Sequence, residues 1–284
     1  MVEVRPAAAN TGIVFERVDL PEALNKLPAM WDKVIVSPLN TRLSNEHGTT
    51  VSTIEHIMAA LTGCGVHNAI VAVDGPEVPI MDGSSAVFVR GLVEAGVVST
   101  FAPLRAIEII KPVEVTVGDA TAKLTPATSL QIELSIDFAD AAIGRQHKTL
   151  NLANGAFVRH LADSRTFCRQ ADVDAMHAKG LALGGTLENA VVVDGDAILT
   201  PGGLRHADEA VRHKMLDALG DLMTAGAPIL GRYVGVKSGH AVTNALLRAL
   251  FADPTAWRWV ICDAQTAARL PGVGVTKADL EAVA

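Results

Sequence analysis

The sequence predicts an α+β protein of two similar halves, and three observations predict this class. The chain has 284 residues, enough for two domains of roughly 100–200 residues each. In each half, strand-like segments come before helices, which is typical of α+β folds and not of a doubly wound parallel sheet. The pattern breaks near residues 100–103. We therefore expect one domain of residues 1–102 and a second of residues 103–284.

The composition excludes several classes of protein. With 49% hydrophobic and 19% charged residues, the chain is unlike a disordered protein. A net charge of -7 leaves no electrostatic footprint for a nucleic-acid partner. Charges interrupt the apolar stretches before the ~18–20 residues of a membrane span, and residues 1–20 lack the pattern of a signal peptide. We expect a soluble cytoplasmic protein, whose 3 scattered cysteines are too few for a disulfide framework.

The first half begins with residues 1–50, in which apolar and polar residues alternate between turn signals. This pattern is typical of short antiparallel strands. The motif STIE at 52–55 fits a capping box and predicts a helix that begins at Ser52 and ends at Gly63 or Gly65. A buried strand at Ala69–Val73 and a helix near Ala86–Ala95 complete this half.

The second half repeats the order of strands before helices. Strand-like segments run from residue 107 to residue 138, and residues 158–161 predict one further strand. The later elements are a helix near 172–179, a strand at 190–193, a helix over about 208–224, a strand at 233–236 and a helix over about 241–251.

The helix that follows Ser52 is apolar nearly all round. One stripe is formed by Ile54, Ile57, Met58 and Leu61, and the other side carries Ala59 and Ala60. Such a helix is buried on two sides. A buried Glu55 and His56 then need partners or a metal, because an unpaired buried charge costs several kcal/mol. From this helix alone, a capping Glu55 and a satisfied core His56 remain an alternative.

The helix over 208–224 carries His213 and Asp217 on one face, four residues apart. Their Cβ atoms are then ~5–6 Å apart, so both side chains can bind one cation at ~2 Å. An ordinary His–Asp pair on a helix surface is the alternative. Gly220 lies beside them and predicts the close approach of a second helix, for which Ala59 and Ala60 offer a matching small surface.

If these two helices meet, His56, His213 and Asp217 form a set of two imidazoles and one carboxylate. Three protein ligands and an open fourth position are the pattern of catalytic zinc, and nitrogen and oxygen ligands without thiolate also suit iron(II). Glu55 then lies where a general base acts on a metal-activated water.

A further histidine follows a predicted strand end. In the motif KSGH at 237–240, His240 begins the next helix, whose dipole lowers the pKa of an imidazole. An acidic partner is required to keep His240 charged, and Asp221, one turn beyond Asp217, is the candidate. Local capping or packing of His240 is the alternative. A thiol nucleophile built on Cys64 and His67 is disfavoured because nothing in the sequence orients that pair.

At these residues the sequence resembles a known family. VSTIEHIMAAL at 51–61 resembles the zinc-ligand helix of the LpxC family, the UDP-3-O-acyl-N-acetylglucosamine deacetylases of lipid A biosynthesis. The resemblance continues, in family order, through PEVPIMDGS (76–84), SRTF (164–167), GLALGG (180–185), NAVVVD (189–194), RHKMLDALGDL (212–222) and GVKSGHA (235–241).

The resemblance implies a zinc ion held by His56, His213 and Asp217, with Glu55 as general base. It also implies that His240 stabilises the oxyanion and protonates the leaving amine. The further roles that the resemblance implies fall to Asp221, which holds His240 charged, to Thr166, which donates a hydrogen bond to the oxyanion, and to Lys214 and Lys237, which bind and orient the substrate.

The resemblance further implies the substrate and the fold. The substrate is a UDP-sugar with a long hydroxyacyl chain, and the products are acetate and the free glucosamine amine. Helices lie between two sheets, and a strand-helix-strand insert over about 167–194 forms an apolar acyl passage. Suitable linings of this passage are Phe167, Leu181, Ala182, Leu183 and residues 191–193. The family precedent suggests a monomer.

Members of the family begin with a further strand and a glycine-rich loop that carries a histidine, and Met1 starts just after that point. We therefore expect the first sheet to lack a strand and to have an unpaired edge. Two alternatives to the deacetylase follow: an N-terminally shortened, catalytically weak binder of the same UDP-sugar, and a zinc hydrolase of a different acetylated sugar.

Overall fold

The computed structural model of the chain describes residues 1–177 and 186–283. Helices and mostly antiparallel sheets make up this part of the chain, which confirms the α+β class. The helices are α1 (Glu55–Gly63), α2 (Ala86–Ala95), α3 (Ala156–His160), α4 (Gln170–His177), α5 (Glu209–Met223), α6 (His240–Ala252) and α7 (Ala264–Ala267), and 3-10 helices cover Trp31–Lys33 and Lys277–Val283.

The strands Ile13–Arg17 and Gln131–Asp137 alternate fully and partly buried side chains, as expected where one face of a sheet covers the core. In chain order the strands are β1 (Val2–Pro6), β2 (Ile13–Arg17), β3 (Lys26–Pro28), β4 (Val34–Ile35), β5 (Arg42–Ser44), β6 (Thr50–Val51), β7 (Ala69–Val73), β8 (Arg105–Ile109), β9 (Val113–Val117), β10 (Ala120–Pro126), β11 (Gln131–Asp137), β12 (Arg145–Asn151), β13 (Phe167–Arg169), β14 (Val191–Asp194), β15 (Ala197–Ile198), β16 (Ile229–Val236) and β17 (Trp257–Ile261).

The first sheet has the strand order β1-β7-β2-β3, and β4, β5 and β6 form a small antiparallel sheet beside it. Within the first sheet, β1 and β7 are antiparallel, as are β2 and β3. The strands of residues 1–51 that pair with one another are antiparallel, as expected, whereas β2 also pairs with the later strand β7 and runs parallel to it. β7 enters the sheet between β1 and β2 after the chain has passed through α1.

The second sheet has the order β12-β11-β16-β10-β9, and β8 joins β16 to β17. Its central strand β16 runs parallel to β11 and antiparallel to β10. A third sheet, β13-β14-β15, carries α4 between the parallel strands β13 and β14. Along the chain, the last strand of the first sheet ends at residue 73, and the first strand of the second sheet begins at residue 105. The boundary between residues 102 and 103 stays a prediction.

Helices α1 and α5 lie between the two large sheets. Met58 and Leu61 of α1 are buried in one hydrophobic cluster with Phe15 and Val71 of the first sheet. Ala59 and Ala60 are buried in the other cluster, together with Met215 and Leu219 of α5 and with Leu124 and Leu134 of the second sheet. All residues of α1 are buried, so the prediction of a helix covered on two sides is confirmed.

Gly220 is the point of closest approach between these two helices. A methyl group built on Gly220 would overlap the backbone carbonyl of Glu55, because the α5 backbone rests directly on the first turn of α1. The prediction that Gly220 admits a second helix is therefore confirmed. This contact brings the Glu55–His56 end of α1 against the His213–Asp217 face of α5.

We expect Gly220→Ala to destabilise the fold by about 1–3 kcal/mol, because the added methyl group must force α1 and α5 apart. Gly91→Ala in α2 is the matched control, since a methyl group there meets open space. The control gains about 0.5–1 kcal/mol from the better helix propensity of alanine. Denaturant unfolding of both variants measures the loss of stability in Gly220→Ala and the gain in Gly91→Ala. An unchanged midpoint for Gly220→Ala would contradict the close packing.

Two sequence predictions of local structure are wrong. The capping box at 52–55 does not form: α1 begins at Glu55, Thr53 has a left-handed φ of 59°, and Ser52 bridges to Glu77 instead. The Glu55 carboxylate binds the amide of Thr41, so it does not reach back to Ser52.

The strand predicted at residues 158–161 is also wrong, because this segment lies in and just after α3. The buried side chains there are Phe157, Val158, Leu161 and Ala162, which recur with the spacing of a helix. Gly155, with a φ of 71°, makes the turn from which α3 starts.

No helix in residues 1–177 or 186–283 is both long enough and apolar enough to cross a membrane.

Candidate metal centre

Helices α1 and α5 bring His56, His213 and Asp217 together in the interior. Their ligand atoms all lie within 4.8 Å of one another, and all three side chains are buried. The Nε2 atom of His213 is 3.3 Å from Oδ1 of Asp217, and Nε2 of His56 is 3.7 Å from the same oxygen. The residues that the sequence predicted to meet therefore form a group that can hold a metal ion.

The orientation of His213 is set by a backbone carbonyl. Its Nδ1 lies 3.0 Å from the carbonyl oxygen of Ser164. A carbonyl only accepts hydrogen bonds, so Nδ1 carries the proton and Nε2 presents its lone pair towards Asp217. This pairing of a ligand imidazole with a carbonyl is the usual support of a metal-binding histidine.

The protonation states of the three side chains suit a cation. Burial, assisted by the nearby His213, lowers the pKa of His56 to about 3. Burial likewise lowers the pKa of His213. Burial alone would raise the pKa of Asp217, but His213 and Lys214 outweigh it and hold that pKa well below its usual range. Two neutral imidazoles and one carboxylate are the forms that bind a divalent metal.

An unpartnered carboxylate oxygen supports the same assignment. In the part of the chain that the structure describes, Oδ1 of Asp217 is buried without a hydrogen-bond partner. A buried carboxylate oxygen without a partner is costly, and a cation between Asp217 and the two imidazoles removes that cost. The donor set of two nitrogens and one oxygen fits zinc or iron(II).

Glu55 lies beside this group at the start of α1. Its Oε2 accepts a hydrogen bond of 3.0 Å from the amide of Thr41, and its Oε1 is 3.9 Å from Nε2 of His240. Burial raises the pKa of Glu55 to about 7, although the positive charge of His240 opposes the shift. A carboxylate with a pKa near neutrality is suited to exchange protons.

His240 faces Glu55 from the first residue of α6. Its Nδ1 donates a hydrogen bond of 2.8 Å to Oδ2 of Asp221, and its Nε2 is 3.9 Å from Oδ2 of Asp217. Burial alone would lower the pKa of His240, but the carboxylates of Asp221 and Glu55 outweigh it and raise that pKa to about 9. The acidic partner that the sequence required for His240 is therefore present, and it is Asp221.

The lysines expected to bind substrate lie in different surroundings. Lys214 is mostly buried, and its Nζ is 2.9 Å from Oδ2 of Asp217. Lys237 lies at the end of β16, with 39% of its side chain exposed, and its Nζ is 3.1 Å from Asp119. Within residues 1–177 and 186–283, Lys214 forms an ion pair with a member of the metal-binding group, whereas the ion pairs of Lys237 are with Asp119 and Asp137.

The remaining predicted residues belong to the segment that follows Ser164. The amide of Thr166 binds the carbonyl of Gly83, and the carbonyl of Thr166 accepts from Val191. The ring of Phe167 meets His213 edge to face at 6.4 Å between centroids. Thr166 and Phe167 are therefore held next to the carbonyl that orients His213.

The predicted lining of the acyl passage is described only in part. Leu181, Ala182 and Leu183 lie outside the described residues. Val191 and Val193 are buried in the larger hydrophobic cluster, which also contains α5. The strand-helix-strand order expected over about 167–194 is visible as β13, α4 and β14.

Cys64 and His67 do not form a nucleophilic pair. Burial raises the pKa of the Cys64 thiol to about 12 and lowers the pKa of His67 to about 4. Both shifts favour the neutral forms, whereas a reactive cysteine needs a thiolate.

A buried ion pair that the sequence analysis missed supports the Ser164 carbonyl. The carboxylate of Glu209, which is 1% exposed, accepts hydrogen bonds from the amide and the guanidinium of Arg165 and from the amide of Arg205. Glu209, His213 and Asp217 are spaced by four residues on α5, so the helical period was the available signal. The partner Arg165 was not predictable from spacing.

We expect Glu209→Gln to lower the free energy of unfolding by about 3 kcal/mol, because Arg165 is left buried without its counter-charge. Glu22→Gln, at a side chain 87% exposed, is the control and should change stability little. Denaturant unfolding near neutral pH measures both. Equal stability of Glu209→Gln and the wild type would contradict the assigned ion pair.

The same variant has a defined pH dependence. Burial alone would raise the pKa of Glu209, but the hydrogen bonds from Arg165 outweigh it and lower that pKa. The ionised Glu209 therefore stabilises the fold fully above its unfolded pKa of about 4.3. This stabilisation is lost as the pH falls through the lower pKa of Glu209 in the native state. The stability difference between the wild type and Glu209→Gln should shrink below about pH 4.

Comparisons with known proteins place the chain in a family. The model of the LpxC family, described as UDP-3-O-acyl N-acetylglycosamine deacetylase, matches residues 1–252. A protein of Phenylobacterium zucineum (strain HLK1), named UDP-3-O-acyl-N-acetylglucosamine deacetylase, is 54% identical over 257 residues, which are 90% of this chain and 88% of that protein.

Two proteins from Shewanella carry the same name. The one from Shewanella sp. (strain W3-18-1) is 45% identical over 261 residues, which are 91% of this chain and 85% of that protein. The one from Shewanella oneidensis (strain MR-1) is 43% identical over 277 residues, which are 95% of this chain and 90% of that protein. With this coverage and identity, and with the family model matched over residues 1–252, the chain belongs to the LpxC family.

Proposed function

We propose that this chain is a metal-dependent UDP-3-O-acyl-N-acetylglucosamine deacetylase, which hydrolyses the acetamide of its UDP-sugar and releases acetate in the biosynthesis of lipid A. Membership of the LpxC family and the names of the relatives support this substrate. The observation that carries the proposal is the buried group of His56, His213 and Asp217, with Glu55 and His240 facing each other beside it.

We assign His56, His213 and Asp217 as the ligands and zinc as the ion, with iron(II) as the substitute that the same donor set accepts. A bound divalent cation supplies an activated water and polarises the amide carbonyl. The neutral imidazoles and the ionised Asp217 are ready to bind it without losing protons at neutral pH. Ser164 fixes the ring of His213, as its carbonyl holds Nδ1.

Proton transfer falls to Glu55 and His240. Glu55 takes the proton of the attacking water, for which its raised pKa makes it a stronger base than an ordinary carboxylate. His240 is held protonated by Asp221 and stabilises the negative charge that develops on the amide oxygen. The leaving amine is a poor leaving group until it is protonated, and His240 is the acid that donates this proton.

Further residues of the site act on the substrate. We assign the Thr166 hydroxyl as a donor to the developing oxyanion, and Lys214 and Lys237 as cations that orient the substrate and its diphosphate. Phe167, next to His213, contributes apolar surface for the acyl chain. We assign the rest of the acyl passage to the insert over 167–194, including Leu181. We also propose that the protein is a monomer. We propose that it acts in the cytoplasm, because the Cys64, Cys168 and Cys262 thiols are free, as is usual in a reducing compartment.

The experiment that tests the function is acetate release from UDP-3-O-(3-hydroxyacyl)-N-acetylglucosamine by the purified full chain. UDP-N-acetylglucosamine without the acyl chain is the matched control substrate. We expect rapid release from the acylated substrate and at least about tenfold slower release from the control, because the apolar contacts of the acyl chain are lost. Binding without acetate release would overturn the proposal in favour of a binder. Equal rates on both substrates would favour a hydrolase of another acetylated sugar.

A further inference from the structure

Thr41 contacts both carboxylates of the proposed proton-transfer machinery, although no sequence pattern singled it out. It lies immediately before β5 and is 3% exposed. Its amide donates to Oε2 of Glu55 at 3.0 Å, and its hydroxyl donates to Oδ1 of Asp221 at 2.5 Å. One residue of the loop before β5 therefore contacts residues of α1 and α5 at the same time.

The hydroxyl of Thr41 supplies the second hydrogen bond to the carboxylate of Asp221. Oδ2 of Asp221 accepts from Nδ1 of His240, and Oδ1 accepts from Thr41, so each carboxylate oxygen has a different partner. Two donors on opposite oxygens fix the rotation of the carboxylate plane, and with it the direction of His240. Without the hydroxyl, Oδ1 of this buried carboxylate loses that partner, and the carboxylate is free to rotate towards other donors.

The backbone of Thr41 is itself held at the start of α1. The amide of Ile54 donates to the carbonyl of Thr41 at 3.4 Å, and the side-chain amide of the preceding Asn40 donates to the hydroxyl of Thr53 at 3.1 Å. The hydroxyl of Ser37 donates in turn to Oδ1 of Asn40 at 2.8 Å. The loop that carries Thr41 is therefore tied to the turn before α1 rather than free to move with solvent.

We propose that Thr41 is a positioning residue that orients Glu55 and His240 relative to each other. Its amide binds Glu55, and its hydroxyl binds Asp221, which in turn binds His240. This inference rests on the proposed function, because it concerns the same proton transfers. Thr41 acts through the two carboxylates and does not contact the reacting atoms. Its hydroxyl is the part that a substitution can remove while the backbone amide stays.

The test compares Thr41→Val, which keeps the branched shape without the hydroxyl, with Thr41→Ser, which keeps the hydroxyl. We expect Thr41→Val to lower kcat about ten- to hundredfold, the cost of losing a supporting partner of a site residue, with KM within about twofold and metal content unchanged. Thr41→Ser should retain kcat within about threefold. Thr62→Val is the matched control: it removes another buried hydroxyl, which binds a carbonyl within α1, and should leave kcat within about twofold.

A second readout does not depend on activity. The Nδ1 proton of His240, assigned by its loss in His240→Gln, should give a low-field NMR signal in the wild type and in Thr41→Ser. In Thr41→Val this signal should shift or broaden, because Asp221 is no longer fixed. Thr41→Ala replaces Thr41→Val if the latter does not fold, as judged by thermal unfolding.

The outcomes separate the two proposals. Wild-type kcat and an unchanged His240 signal in Thr41→Val would overturn the positioning role, as would equal losses in Thr41→Ser and Thr41→Val. If the wild type itself releases no acetate, the proposed function fails, and the NMR comparison alone decides whether Thr41 orients His240.

Discussion

Glu55→Gln should lower kcat for acetate release by about a hundredfold to ten-thousandfold, the range expected when a general base is removed. Glutamine keeps the size of the side chain, and its carbonyl oxygen still accepts from the amide of Thr41, but it does not take a proton. The ligand group of His56, His213 and Asp217 is untouched, so the metal content should equal that of the wild type.

The control for this variant is Glu94→Gln, at an exposed position of α2. It removes the same charge from the chain and should leave kcat within about twofold. Steady-state kinetics with metal analysis of the same samples measures both quantities. A Glu55→Gln variant that turns over within about threefold of the wild type would refute the assignment of Glu55 as the base.

His213→Ala should abolish metal binding and reduce acetate release by well over about a hundredfold. Loss of an outer-shell partner alone costs about 10–100-fold in metal affinity or activity, and loss of a ligand costs more. The variant leaves His56 and Asp217 with two ligand atoms instead of three. It also leaves the carbonyl of Ser164 without its donor.

His147→Ala is the control for His213→Ala, since His147 lies on β12 with 55% of its side chain exposed. It should bind metal and release acetate as the wild type does. Metal content after dialysis and acetate release are measured on both. Stoichiometric metal in His213→Ala, with activity close to the wild type, would remove His213 from the site.

The parts of the fold that the sequence predicted well are those with a local period. The strand Ala69–Val73 and the helix Ala86–Ala95 match their predicted bounds, and the predicted helices over 208–224 and 241–251 correspond to α5 and α6. The contact of α1 with α5 was also predictable, since glycine at 220 and alanines at 59 and 60 are small residues on facing surfaces.

The parts that the sequence did not reveal depend on long-range contacts. The capping box failed because Thr53 takes a left-handed φ and Glu55 binds Thr41, which is fourteen residues away in sequence. Strand β12, with the sequence RQHKTLN, has no apolar run, and it forms because it pairs along the whole of β11. The parallel pairing of β2 with β7 likewise has no local signature.

In the candidate site, too, the residues with a local pattern were predictable and those held by long-range contacts were not. His213 and Asp217 were found from their spacing on one helix, and the acidic partner of His240 from the requirement for a counter-charge. The Ser164 carbonyl and the Thr41 hydroxyl have no sequence signal. Every residue type has a backbone carbonyl, and threonine is common in loops. The catalytic and binding roles of the site residues stay predictions, which the variants above test.

Metal dependence is tested most simply by acetate release after chelation and stepwise return of zinc, with the metal content determined at each step. We expect no release from the chelated chain and a linear recovery that ends at one zinc ion per chain, bound by His56, His213 and Asp217. Undiminished release from a chain with less than about a tenth of an equivalent of metal would contradict metal dependence.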